Sequence, residues 1–198
     1  MRADRRALED RVRAILDGIA ADGDEAIRRY AREFDGWKSP DFRVTADQVR
    51  RVDRILLETF KEDFAYAHSR VTEFAKARRD SMHEFQMEIE SGIVLGQKLI
   101  SVAKTGCYIP GGKYPLISAA IMSVATARVA AVGRVVGAAP PRDAEGIYRQ
   151  SLYALHASGA DEIYCIGGVQ ALAAMAYGCV GMTPRDMITG PATPSWRR

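Results

Sequence analysis

Apolar residues in the first third of the chain recur every three to four positions. Leu8, Val12, Ile15 and Ile19 fall on one face, which predicts an amphipathic helix. Asp22-Gly23-Asp24 interrupts that rhythm, and Asp24 is placed to cap a second helix carrying Ile27, Tyr30, Ala31 and Phe34 on one side. Thr45-Ala-Asp-Gln48 has the form of a capping box. Val49, Val52, Leu56, Phe60 and Phe64 continue from it at helical spacing, so one long helix is predicted to run to about Arg78. The Glu, Lys and Arg residues between these positions read as solvated faces.

The period changes after residue 84. Phe85-Gln-Met-Glu-Ile-Glu90 alternates apolar and polar, as a half-buried strand does, and Ser91-Gly92 turns it into Ile93-Val-Leu95, which predicts a β-hairpin. From Ile100 strands and helices alternate. Strands are predicted at 106–109, 134–139, 162–166 and 186–189, each ended by a breaker: Pro110-Gly-Gly112, Pro140-Pro141, Gly167-Gly168 and Gly190-Pro191. Helices are predicted near 117–131, 144–157 and 169–177, with Gly159 and Gly178 suited to the positions just past two of them. The order βαβαβαβ implies an α/β fold with a mostly parallel, Rossmann-like sheet, preceded by a helical segment and a hairpin. The corresponding regions are 1–83 (helical), 84–191 (an α/β nucleotide-binding domain) and 192–198 (a tail). In such sheets ligands bind beyond the carboxyl ends of the strands, where all four breaker loops should gather.

Two of those loops carry the candidate chemistry. Gly106-Cys-Tyr-Ile-Pro-Gly-Gly-Lys-Tyr-Pro115 leads into the small-residue helix Ser118-Ala-Ala-Ile-Met-Ser-Val-Ala-Thr-Ala-Arg128, and Ile163-Tyr-Cys-Ile-Gly-Gly-Val-Gln170 leads into the helix that follows it. Glycines at a strand-to-helix turn let backbone N–H groups approach a ligand at a helix N-terminus, where the dipole favours anions. Gly111, Gly112, Gly167 and Gly168 are therefore candidate cofactor-binding residues. They do not form a G-x-G-x-x-G fingerprint, and tight packing of the turns accounts for them equally well. Tyr108 offers a ring and a hydroxyl beside one loop, and Gln170 an amide beside the other, so both are candidate contacts to a nicotinamide or a ribose. Alternatively, Tyr108 is a core aromatic and Gln170 caps its helix.

Composition narrows the classes. Of 198 residues, 28 are Lys or Arg and 25 Asp or Glu, a net charge of +3, and the basic residues are spread along helices, which argues against nucleic acid as a partner. Cys107, Cys165 and Cys179 have no C-x-x-C spacing and lie in apolar surroundings, as buried reduced thiols do. No apolar run approaches the ~18 residues of a membrane span and no signal peptide is evident, so a cytoplasmic protein with no membrane partner is expected. His68, His83 and His156 have no partner at ligand spacing, and no nucleophile elbow is present.

Several further segments carry a resemblance. Gly23-Asp-Glu-Ala26 with Phe34-Asp35, Tyr108-Ile-Pro-Gly-Gly112 with Tyr114-Pro115, Pro140-Pro141, Gly167-Gly-Val-Gln-Ala-Leu-Ala-Ala174 with Ala176-Tyr-Gly178, and Gly190-Pro191 resemble the N-terminal part of the histidinol dehydrogenase family, in its order and at its spacing. Cys107–Pro115, Val94-Leu-Gly-Gln97 and Gly168-Val-Gln170 are more similar to its sulfopropanediol dehydrogenase branch. The resemblance implies a homodimer and an aldehyde-dehydrogenase-like fold, of which residues 84–191 would be an incomplete, truncated half. It implies an NAD-dependent, zinc-containing enzyme that oxidises a primary alcohol through an aldehyde to a carboxylate. Tyr108 and Gln170 match family contacts to NAD. A third contact, the asparagine of Gly-Pro-Gly-Asn, would fall where Thr193 stands. The family's zinc ligands and its Glu–His acid–base pair match no residue here, so neither catalysis nor zinc binding is expected of this chain alone. One base lost from a frame encoding Gly-Pro-Gly-Asn-Ala-Phe-Val-Ala-Glu can yield Gly190-Pro-Ala-Thr-Pro-Ser-Trp-Arg-Arg198, so the tail is read as out of frame. Two other readings are a short standalone nucleotide-binding module and a non-catalytic dimerising remnant.

Overall fold

The structure, a computed structural model, describes residues 2–112 and 114–191, with side chains from residue 6 onward. The expectations for 192–198, including the position of Thr193, lie outside these residues.

Helices α1 (Arg2–Asp22) and α2 (Asp24–Asp35) form as the periodicity predicts. Asp24 does not cap α2. Gly23 takes the N-cap position, and the Asp24 carboxylate instead accepts the Val180 N–H at 2.6 Å, tying the start of α2 to the loop after residue 178. Phe34 departs from the buried face that Ala26, Ile27 and Ala31 share; it is 37% exposed and stacks on Tyr30.

The Thr45–Gln48 capping box is present and starts α3 (Ala46–Ile55). The predicted long helix is two helices, because Leu56 and Leu57 adopt extended backbone before α4 (Glu58–Asp80) begins. No Gly or Pro marks this break. It lets α3 pack on the helix over 149–157 while α4 packs on the helix that follows residue 120.

The hairpin forms as β1 (Phe85–Glu90) and β2 (Ile93–Gln97), antiparallel, with Met87 opposite Leu95. It is not half-buried: every residue of both strands is exposed.

Strands β3 (Lys104–Tyr108), β4 (Arg134–Ala139), β7 (Glu162–Cys165) and β8 (Met187–Thr189) form one parallel sheet in the order β7-β4-β3-β8. Between β3 and β4 the chain runs through α5 (Ile117–Ala120), a π-helical turn (Ile121–Ala125) and α6 (Thr126–Val129). The helix predicted at 144–157 starts later, as α7 (Arg149–Ala157). The preceding residues form a small hairpin, β5 (Pro141–Asp143) and β6 (Gly146–Ile147), which the sequence reading missed. Helix α8 (Gly168–Tyr177) connects β7 to β8 and ends at Gly178, φ +81°.

Glycines set how close the layers come. A Cβ at Gly106 would lie 2.5 Å from Met175 Sδ of α8, and one at Gly137 would lie 2.7 Å from Leu155 Cδ2 of α7. The outer edge of β7 is covered by the segment before α3. Cys165 N donates to the Phe42 carbonyl at 2.7 Å, and Val44 N to that of Ile163 at 2.8 Å. Helices α1 and α2 pack on α8, and Ile15, Ile19 and Ile27 join the same apolar core as Val135, Val136 and Ile166.

Candidate functional site

The sheet order places β8 beside β3 on the side away from β4. The chain direction across the sheet therefore reverses between β3 and β8, and a parallel sheet opens a crevice at the carboxyl end of such a switch. The last residue of β3 is Tyr108, on the same side of the strand as Gly106 and so facing α8. Gly190, just past β8, lies against it: a Cβ there would stand 2.7 Å from the Tyr108 carbonyl oxygen.

The breaker loops interlock at this edge. Pro140 is wedged between two of them, since a Cβ at Gly111 would meet Pro140 Cγ at 2.5 Å and one at Gly167 would meet Pro140 Cβ at 2.6 Å. Gly168 is the one glycine of the four with a left-handed backbone, φ +60°. A Cβ at Gly112 would meet only the Tyr114 carbonyl oxygen, at 3.9 Å, and with Gly111, Arg142, Tyr148 and Ser151 this glycine lines a cavity of about 80 Å³.

Tyr108 and Gln170 are both buried, 4% and 1% exposed. The Tyr108 hydroxyl accepts the Gly168 backbone N–H at 3.0 Å, so one of the amide groups at the α8 N-terminus is already engaged by the protein. Gln170 Nε2 donates to Asp35 Oδ2 at 2.9 Å. Thus Tyr108, Gly167, Gly168 and Gln170 come together, with Gly111 and Gly112 on the adjoining loop. Asp35 is the member that residue-by-residue reading missed. It stands 135 positions away at the end of α2, and only its place in the Phe34-Asp35 pair signalled it.

Burial dominates the acid–base character of the cluster. It pushes the Tyr108 hydroxyl up to about 12, the Cys107 thiol to about 11 and the Cys165 thiol to about 12. It also raises the Asp35 carboxyl, against the opposing hydrogen bonds from Gln170 and the Gly167 backbone. Such groups hold and orient a ligand better than they move protons near neutral pH. The histidines lie elsewhere: His68 stacks on Phe64 in α4, and His156 sits in the last turn of α7. Among the described residues no three His, Cys, Asp or Glu gather as metal ligands would. The three cysteines are free and buried. A larger open cleft of about 940 Å³ lies beside the β5–β6 hairpin and α3, lined by neither Tyr108 nor Gln170.

The family model for histidinol dehydrogenase matches residues 1–194. The chain belongs to the histidinol dehydrogenase family. It is 42% identical over 182 residues to a histidinol dehydrogenase homolog of Ruegeria pomeroyi, covering 92% of this chain and 42% of that protein. It is 36% identical over 190 residues to the sulfopropanediol 3-dehydrogenase of the same organism, covering 96% and 43%. The crystal structure of histidinol dehydrogenase from Elizabethkingia anophelis matches with a TM-score of 0.87 at 26% identity, covering 94% of this chain and 43% of that one. The mixed α/β fold with its parallel four-stranded sheet is thus similar to that of a histidinol dehydrogenase. The chain spans less than half the length of these relatives.

Proposed function

We propose that this chain supplies the NAD-binding portion of an alcohol dehydrogenase that takes a primary alcohol through an aldehyde to a carboxylate. The observation that carries the reading is the convergence of Tyr108, Gly168 and Gln170 beside the β3–β8 switch, where α/β sheets bind nucleotides. Gly111, Gly112 and Gly167 shape the adjoining loops. When bound, NAD supplies the hydride acceptor. The chain's own residues orient it, Gln170 by its amide and Tyr108 by fixing the start of α8. The described residues do not offer a zinc donor set. The likeness to the aldehyde-dehydrogenase type of fold and a cytoplasmic location belong to this proposal; no helix among the described residues is long and apolar enough to cross a membrane.

A homodimer is part of the same reading. The β1–β2 hairpin turns Phe85, Met87, Ile93 and Leu95 to solvent, each 45–54% exposed, and an apolar stripe of this kind marks a surface that a partner covers.

Calorimetric titration of the chain with NAD tests the site. Gln170→Ala should weaken binding by about 0.5–1.5 kcal/mol, roughly two- to tenfold, the worth of one polar contact. An unchanged affinity would remove Gln170 from the site.

A further inference from the structure

Asp35 is the last residue of α2 and contributes nothing to the sheet, yet its carboxylate reaches the start of α8. Two glycines clear the space for this carboxylate and for the Gln170 amide it meets. A Cβ at Gly167 would lie 3.1 and 3.2 Å from the two Asp35 oxygens, and a Cβ at Gly168 would lie 2.6 Å from Gln170 Oε1. The Gln170 amide has two faces, a donor NH2 and an acceptor oxygen, and a neutral site would accept either orientation. A carboxylate accepts only, so the ionised Asp35 takes the NH2 and leaves Oε1 turned the other way, over Gly168. No hydrogen bond from the described residues reaches that oxygen.

We propose that Asp35 is a positioning residue: it fixes the Gln170 amide with its oxygen toward the ligand, so that the site selects a ligand group that donates a hydrogen bond. This rests on the nicotinamide-nucleotide reading given above. In that cofactor the donors are the carboxamide NH2 and the ribose hydroxyls.

D35N tests it, because asparagine keeps the size but offers Gln170 either an acceptor or a donor. With the charge gone, both amide orientations become available. NAD affinity should fall about five- to tenfold while the thermal midpoint does not drop, since a buried charge has been removed. A merely structural role would lower both. The Gln170 side-chain NH2 signals, followed by nitrogen-15 NMR, should be exchange-protected in the wild-type chain and lose that protection in D35N, with or without nucleotide. The 3-acetylpyridine analogue of NAD, which lacks the carboxamide NH2, separates the two donors. Weaker binding than NAD identifies the carboxamide, and equal binding the ribose; in either case D35N must weaken NAD. Gln170 signals indifferent to D35N would overturn the positioning role. Absence of any NAD binding by the wild-type chain would overturn the nucleotide reading, and with it the donor selection.

Discussion

The Gly168 backbone N–H donates to the Tyr108 hydroxyl at 3.0 Å, joining the first residue of α8 to the last residue of β3. This bond spans the two Gly-Gly loops and holds the α8 N-terminus at the strand edge. Tyr108→Phe keeps the ring but deletes the acceptor, leaving a helix N–H in a largely buried place without a partner. The expected cost is about 1–3 kcal/mol of stability, read from urea unfolding of the two proteins. A loss below about 0.5 kcal/mol would mean that water replaces the hydroxyl at Gly168.

The thiols give a pH prediction. Burial raises Cys107 to about 11 and Cys165 to about 12, above the ordinary value of 9.0. A thiol whose folded value is raised binds its proton more tightly in the native state. Its contribution to stability is therefore complete below about pH 9 and is lost as the pH climbs through 11 to 12. Stability should be flat with respect to these groups from pH 7 to 8 and should fall above pH 9. At pH 8 both thiols should resist Ellman's reagent until urea is added. Rapid modification of either in the native protein would contradict their burial.

Asp35 titrates in the same sense. Burial raises its carboxyl, so its stabilising contribution is present below the unfolded value near 3.8 and lost as the pH rises through the folded one. At pH 7, D35N should accordingly melt no lower than the wild type, and the difference between the two should shrink on acidification to pH 4. Thermal melts at both pH values check this.

The hairpin predicts an assembly effect without a folding effect. Met87 and Leu95 face each other across β1 and β2 and are both 54% exposed. Replacing both with lysine removes no contact from the core. If a second copy covers this face, the double variant should shift from dimer to monomer in light scattering, with unchanged circular dichroism. A wild-type chain that is monomeric at high concentration would rule out this interface.

Metal content is a fifth measurable property. With no His, Cys, Asp and Glu cluster among the described residues, elemental analysis of the purified chain should find well below one zinc per molecule. Treatment with EDTA should leave its thermal midpoint in place.

The sequence by itself determined α1, α2, the alternation of the four sheet strands with their connecting helices, and the four loops at the sheet's carboxyl edge. These depend on local chemistry: a 3.6-residue period for α1 and α2, the Thr45–Gln48 capping box, and a Gly or Pro after each strand. The family too was legible, because its motifs are short and keep their spacing. Tertiary structure alone decided the rest. The break at Leu56–Leu57 carries no local signal, since it exists to send α3 and α4 to different helices. The alternation in Phe85–Glu90 specifies a strand but not what covers its apolar side. Tyr108 and Gln170 were visible as candidates, whereas their partners Gly168 and Asp35 stand 60 and 135 residues away. Periodicity and turn chemistry act over a few residues. A hydrogen bond between distant residues forms only where the packed layers bring donor and acceptor together, and that distance is set by glycines at 106, 167 and 168 whose missing side chains no single sequence can interpret.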